Sequence, residues 1–411
     1  IIVSEGFYMK ILIANKYLYP RGGDCIYTIK LSQILESAGH EIAIFTMQNE
    51  YNIKSKFTQY WPSEVSLSSK KLKHILKILS RPFGAIEVVL KFKRLIKDFN
   101  PDILHLNNIH TQLSPVLVKI AKANKIPVVW TIHDYKIICP AYTLFNNGQI
   151  CEKCKHNLLN VIRFKCIHND FFASVLGFIE AKYWNKDWII KNVDLFICPS
   201  LFVFQKYIEY KFPIEKLIHV DHFNTSTKII IYDKITPKKD YALFVGRLTK
   251  EKGIETLISA FNKMPDKELY IIGDGEIRSN LELISNANIK FLGHLEHKLV
   301  LRYINSCLFT IVPSEWYEVF GLVILESYSF YKPVLGSNIG AIAELIIEGK
   351  TGFLFEPNNV DHLISKACTM YDLINGVNYK SEIKIQLDKF KTEKYKLRII
   401  EIYRNLLNKR K

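Results

Sequence analysis

Two carboxylates eight positions apart, Glu318 and Glu326, stand in the run from Pro313 to Glu326, which reads PSEWYEVFGLVILE. An apolar stretch ends at Pro313, a loop carries Glu318, and a helix is expected to begin near Gly321. Free amides at Gly321 and Leu322 and the positive end of that helix suit a phosphate. Glu326 lies a turn and a half further in, where a carboxylate can accept two vicinal hydroxyls, as on a ribose. A second segment, from Gly246 through Arg247 and Lys252 to Gly253, follows an expected strand and precedes an expected helix. Its two cations are spaced to clamp a diphosphate. Gly22 and Gly23 join the first strand to the first helix, where bare backbone can approach a phosphate. Taken singly, each has a plain alternative: a loop acid with a helix acid, a solvated loop, a tight turn.

Four of the eight cysteines cluster as Cys139, Cys151, Cys154 and Cys166, separated by eleven, two and eleven residues. The two-residue gap lets both central thiolates point at one ion, and the outer pair can complete a tetrahedron. Zinc is the candidate ion. Its role would be structural, since four thiolates leave no open position; His156 and His168 are spare ligands. Reduced thiols or a disulfide are the alternatives. His133, followed by Asp134, ends an expected strand, and His110 follows Asn107-Asn108. His133 is expected to face the cleft, and packing is the plain alternative for both histidines.

Elements must hold these residues in place, and β-rich runs alternate with helical ones almost throughout. Strands are expected over 10–14, 41–46, 102–106, 128–133 and 195–198, with helices over 25–38 and 112–124. The pattern restarts with strands over 241–245, 268–272, 288–292, 308–313, 333–336 and 352–355. Several strands are continuous apolar runs, the mark of a parallel sheet buried on both faces. The reading is α/β: two facing Rossmann-like, doubly wound domains with the site in the cleft between them. The first spans 1–224, with a Cys-containing insertion over about 139–169, and 225–240 is the linker. The second domain spans 241–390, and a C-terminal helix over 391–411 is a candidate to pack back on the first. The first eight residues are expected to precede the true start.

With 411 residues, 48% of them hydrophobic, the chain can bury two or three cores, which excludes disorder and a disulfide-stapled miniprotein. No apolar stretch is long enough to span a membrane. Eight cysteines in so long a chain fit a reducing cytoplasm. The net charge of +16 is uneven, with 31 Lys/Arg against 19 Asp/Glu in residues 1–235. A basic first half points to an anionic partner.

Taken in order, Gly22-Gly23, Thr131-Ile132-His133-Asp134, Gly246-Arg247 with Lys252-Gly253, Glu318 with Glu326, and Gly349-Lys350-Thr351-Gly352-Phe353-Leu354 resemble the family 4 glycosyltransferases. These are retaining enzymes of the GT-B fold, many of them in bacterial polysaccharide assembly. The resemblance implies transfer of a hexose-type sugar from a UDP- or GDP-type donor to a saccharide or lipid-linked acceptor. Arg247 and Lys252 would neutralise the leaving diphosphate, and Glu326 would bind ribose. Glu318, with the amides of Phe320 to Leu322, would hold the donor sugar. Gly273 and Gly293 would border the base, and His133 would sit beside the sugar's C6 hydroxyl and the acceptor, with His110 and Asp134 on the acceptor side. No cofactor would be required. The chain has no Asp-any-Asp pair to hold a catalytic metal, so cations would stabilise the leaving group.

A nucleotide-sugar 2-epimerase of the same fold is the alternative enzyme. A nucleic-acid-binding module is remote, since no basic run interleaved with exposed aromatics appears. Residues 70–97 hold nine Lys/Arg and one Glu among apolar residues at helical spacing. That segment reads either as an amphipathic element docking on an anionic membrane face or as a surface helix with its stripe in the core.

Overall fold

Runs of Ile, Leu, Val and Phe build two separate six-stranded sheets in the computed structural model, which describes residues 8–64, 79–225, 240–374 and 376–409. The first sheet comprises β1 (Lys10–Ala14), β2 (Glu41–Phe45), β3 (Ile103–Leu106), β4 (Val128–Thr131), β7 (Leu195–Cys198) and β8 (Leu217–His219). Its order is β2-β1-β3-β4-β7-β8, and every pairing is parallel. All residues of β3 and β4 are buried, as helices on both faces require. A small antiparallel hairpin, β5 (Phe145–Asn146) and β6 (Gln149–Ile150), stands apart.

The second sheet comprises β9 (Tyr241–Val245), β10 (Glu268–Ile272), β11 (Ile289–Gly293), β12 (Phe309–Val312), β13 (Val334–Ser337) and β14 (Gly352–Phe355). It runs β11-β10-β9-β12-β13-β14, again all parallel. Strand order reverses between β1 and β3 in the first sheet and between β9 and β12 in the second. Crevices open beyond the carboxyl ends of strands at such reversals, so the topology fixes where ligands can enter.

Several expectations need correction. The short β8 went unread because three residues carry too little pattern. The helix expected over 112–124 is Val116–Ala123, since Thr111 and Ser114 have left-handed backbones (φ 66° and 67°) and cannot extend it. Strand β4 stops at Thr131, leaving His133 in the loop that follows. Most of the linker, 226–239, lies outside the described residues, as do 1–7 and 65–78. In helix Ile86–Phe99, Val88, Phe92, Leu95, Ile96 and Phe99 are buried in the first core. The described part of that stripe therefore serves packing, and among its described apolar residues Leu79, Ile86 and Leu90 are exposed. The last helix, Thr392–Asn408, lies on the first sheet's helices: Tyr395, Ile399, Ile402 and Tyr403 share a buried cluster with Ile11, Tyr27 and Leu31.

Candidate active site between the two domains

The loops beyond β9 and β12 flank the reversal in the second sheet and carry opposite charges into it. Lys252 Nζ lies 2.5 Å from Glu318 Oε1, and both side chains are largely buried. Ser314 Oγ donates to the same carboxylate oxygen at 2.7 Å. Burial alone would raise the Glu318 carboxyl, but the Lys252 charge and these hydrogen bonds hold it below its ordinary value. The pair is fixed through backbone. Gly253 has φ 66°, and a Cβ there would stand 1.9 Å from the Pro313 carbonyl oxygen, so only glycine lets the two loops pack. Gly321, at φ 104°, turns the chain into helix Leu322–Ser329, whose start has no side-chain cap.

Arg247 is paired with Glu251 at 3.5 Å and stays mostly exposed at the cleft edge, free to swing onto an anion. Glu326 is buried on the first turns of its helix and accepts from, or pairs with, His297 Nε2 at 2.8 Å. The hydrogen bond to Glu326 raises the His297 pKa against the opposing pull of burial. Spacing gave no sign of His297, which lies at the start of a helix 29 positions away. Beyond β10 the Gly273-Asp274-Gly275 turn approaches Arg278, which pairs with Asp274 at 3.6 Å and lies against Gly293.

The first sheet presents a different rim. His133 Nε2 is 3.0 Å from Asn107 Oδ1, and its ring stacks on His222 with centroids 5.3 Å apart. His222 meets Phe320 of the second domain edge-on at 5.1 Å, carrying the stack across the cleft. Burial pushes His133 down to about 4, so the imidazole is neutral near pH 7. His110 is buried against Trp130 and lines a small pocket with His133 and Asp134. Burial raises the Asp134 carboxyl, opposed by the Lys136 amide and then by the Lys16 and Lys136 charges. Lys16 and His222 were not legible in the sequence; neither sits in a motif, and only the fold brings them to this rim.

The two rims touch. A Cβ on Gly23 would lie 3.1 Å from the Leu322 side chain, so the Gly22-Gly23 turn abuts the Gly321-Leu322 helix start. Ser200 Oγ donates to the Val319 carbonyl at 2.9 Å, and Glu344 accepts from the amides of Leu201 and Phe202. Cations, a helix start and a buried acid on one side thus face neutral rings on the other. Such a cleft can hold a diphosphate against the second domain and a hydroxylated group against the first.

The four cysteines Cys139, Cys151, Cys154 and Cys166 lie apart from this cleft and line one pocket of their own, described below.

Residues 21–221 match the Glycosyltransferase Family 4 family, and residues 228–371 match Glycosyl transferases group 1. A 42.6 kDa protein in a cps region of Klebsiella pneumoniae is 26% identical over 362 residues, covering 82% of this chain and 87% of the relative. The N-acetyl-alpha-D-glucosaminyl L-malate synthase of Bacillus anthracis is 24% identical over 364 residues, covering 85% of this chain and 84% of that enzyme. Among solved structures, an Anabaena protein in complex with UDP-glucose superposes with a TM-score of 0.63 at 17% identity. The superposition covers 97% of this chain and 100% of the other. With two facing Rossmann-like sheets of GT-B type, this chain belongs to the group 1, family 4 glycosyltransferases.

Proposed function

We propose that the enzyme moves a hexose from a UDP- or GDP-type sugar, with retention of anomeric configuration, to a saccharide or lipid-linked saccharide in cell-surface polysaccharide assembly. The observation that carries this reading is the Lys252–Glu318 pair at the strand-order reversal, facing neutral His133 across the cleft. The cps-region relative and the UDP-glucose complex of the Anabaena protein support the polymer and the donor class.

In this reading the diphosphate lies along the amides of Gly321 and Leu322, with Arg247 and Lys252 neutralising it. Glu326 takes the ribose hydroxyls, oriented by His297, and Glu318 holds the sugar. The bond from C1 to the phosphate oxygen breaks, the acceptor oxygen bonds to C1 on the same face, and the acceptor proton passes to the leaving phosphate oxygen. About one further negative charge develops on the already anionic diphosphate as that bond breaks, and in this reading Arg247 and Lys252 meet it without a metal. Neutral His133 can hydrogen-bond a sugar hydroxyl without adding a competing charge.

We place the acceptor at the inner face of the membrane, in the cytoplasm. Helix Phe171–Tyr183 leaves Phe171, Phe172, Ile179 and Tyr183 exposed, and Tyr183 packs on Phe83, close to exposed Ile86. Apolar side chains on the basic first half suit an anionic lipid surface. Salt-sensitive flotation with anionic vesicles, absent with neutral ones, is the expected result.

Melting curves with UDP, GDP and ADP test the donor, since a ligand of the folded state raises Tm. A shift with UDP or GDP is expected, and no shift with any nucleotide would count against the reading. Product anomers identified by NMR then test retention. Release of a free epimerised sugar without an acceptor would move the assignment to a 2-epimerase.

A further inference from the structure

Beyond the transfer reaction, we propose that Cys139, Cys151, Cys154 and Cys166 form a structural zinc site that braces the wall of the acceptor side. The four thiols lie on four different turns of an irregular segment, yet all line one small pocket, closed by Phe145 and Val161. No carboxylate or imidazole lines it, and neither His156 nor His168 reaches it. All four cysteines are free, and Cys154 lies within electrostatic reach of the other three. A soft, all-sulfur set of four selects a tetrahedral d10 ion, and zinc is the common one.

Local architecture makes such a brace useful. Cys139 anchors one end in the first core, with Ala141 and Leu144. From there to Cys166 the chain holds only the two-residue strands β5 and β6, a single 3-10 turn at Lys153–Lys155 and one helical turn at Asn160–Arg163. Elements so short are marginal without a cross-link or a core. Zinc with four thiolates carries a net charge of about minus two, because each ligand binds deprotonated. Lys153 lies within electrostatic reach of Cys166 and Lys136 within reach of Cys139, so cations are placed to offset it.

Among the described residues, no three candidate ligands already surround one point closely enough to hold an ion. The thiols ring the pocket and must close on its centre to reach sulfur–zinc distances of about 2.3 Å. That contraction would pull the hairpin and the turn of Lys153–Lys155 onto the Cys139 loop. The loop is tied to the site: the Cys139 amide donates to the Tyr135 carbonyl at 2.8 Å, and the Tyr135 amide to the Tyr142 carbonyl at 3.0 Å. Tyr135 follows Asp134 directly, and its ring lies against Trp316 of the second domain. The ion would therefore fix the ledge beside His133 and Asp134.

Elemental analysis of the full chain, purified without a metal-affinity column, tests this. About one zinc per chain is expected, released by a mercurial reagent as four thiols become titratable. Cys154→Ser should fall below about a tenth of an equivalent, whereas Cys368→Ser, at an exposed thiol of the second domain, should keep its zinc. If Cys154→Ser does not fold, zinc release from the wild-type chain still decides. Less than a tenth of an equivalent with all four thiols freely titratable overturns the site. So does stoichiometric iron, or a mass two hydrogens lighter per bridge from disulfide formation. A chain that holds zinc but transfers no sugar leaves this inference standing and removes only the functional reading.

Discussion

The rims of the two sheets solve different problems with different chemistry. The second sheet's rim is ionic: Lys252, Glu318, Arg247 and Glu251 on short loops whose backbones interlock at Gly253. The first sheet's rim is led by neutral aromatic rings: His133, His222 and Tyr27 packed together, with His110 on Trp130 nearby. A diphosphate needs fixed charge, and fixed charge in a partly dry cleft must be held by rigid backbone. A sugar hydroxyl needs a hydrogen bond without a charge, and burial supplies neutral imidazoles. In the proposed reading the second domain therefore binds by preorganised charge and the first by suppressed charge.

Removing charge from the second rim should therefore do the most damage. Lys252→Ala is expected to cut kcat/KM by about 100- to 1000-fold, the usual cost of losing one preorganised stabilising group. It also strands Glu318 in a buried site, so Tm should fall, since breaking a buried pair typically costs about 3–5 kcal/mol. The double variant Lys252→Met with Glu318→Gln removes the stranded charge and should regain much of the Tm but none of the activity. Single-turnover kinetics beside melting curves separate the two effects. Near-wild-type turnover in Lys252→Ala would sink the assignment of this rim to the leaving group.

Suppressed charge in the first rim predicts acid sensitivity. Burial lowers His133 to about 4 and His105 to about 3, and pushes His110 and His222 down as well. In the unfolded chain these imidazoles protonate near 6.5, whereas the folded protein resists until well below that. The unfolded state thus binds more protons as pH falls, so stability is full above about 6.5 and declines from there towards 4. Each such histidine contributes up to about 1.4 kcal/mol per pH unit in that window. His297 has the opposite sign. Glu326 raises its pKa, so its contribution is complete below about 6.5 and is lost as pH rises past its folded value. Denaturant midpoints from pH 4.5 to 8 should show the acid loss, and His133→Asn should flatten it; an unchanged slope would break the contrast between the rims.

How much of this the sequence showed follows the same division. The second rim was legible because each charged group sits within a few residues of a glycine that turns a strand into a helix, so one short window holds Gly246, Arg247, Lys252 and Gly253. Strand order was foreseeable only as two doubly wound series; the reversal that brings Lys252 to Glu318 is a pairing of β9 with β12, 64 or more positions apart in the chain. The first rim was half hidden. His133 stood out beside Asp134, but His222 comes from beyond β8 and Lys16 from beyond β1, joined only by folding. Periodicity left two readings open: the apolar stripe of 70–97 suits a membrane and a core equally, and burial of Phe92 and Leu95 puts its described part in the core.

On the first rim itself, His133→Ala is expected to lower kcat by about tenfold, less than any loss on the ionic side, because one neutral hydrogen bond contributes only about 0.5–1.5 kcal/mol. His133→Asn keeps a donor at that place and should recover part of it. A pH–rate profile distinguishes a hydrogen-bonding role from proton transfer. With His133 neutral across pH 6 to 8, its removal should scale the profile without moving its acid limb.

The smallest effect should come where the rims are latched. Glu344 of the second domain caps helix Leu201–Glu209 of the first, accepting from the Leu201 amide at 3.0 Å and from that of Phe202. Ser200 caps the same helix and also reaches across to Val319, beside Glu318. A carboxylate at a helix start contributes about 0.3–1 kcal/mol through the dipole and roughly 1 kcal/mol as a cap. Burial raises this carboxyl, while the hydrogen bonds from the two amides pull it down. Glu344→Ala should therefore lower the denaturant midpoint by about 1 kcal/mol in stability. Its informative readout is orientation: with one latch gone the domains spend less time closed, and the KM for donor should rise a few-fold while kcat holds. A fall in kcat with KM unchanged would mean that Glu344 tunes the ionic rim through Val319 and Glu318, and the two rims would then be less independent than their chemistry suggests.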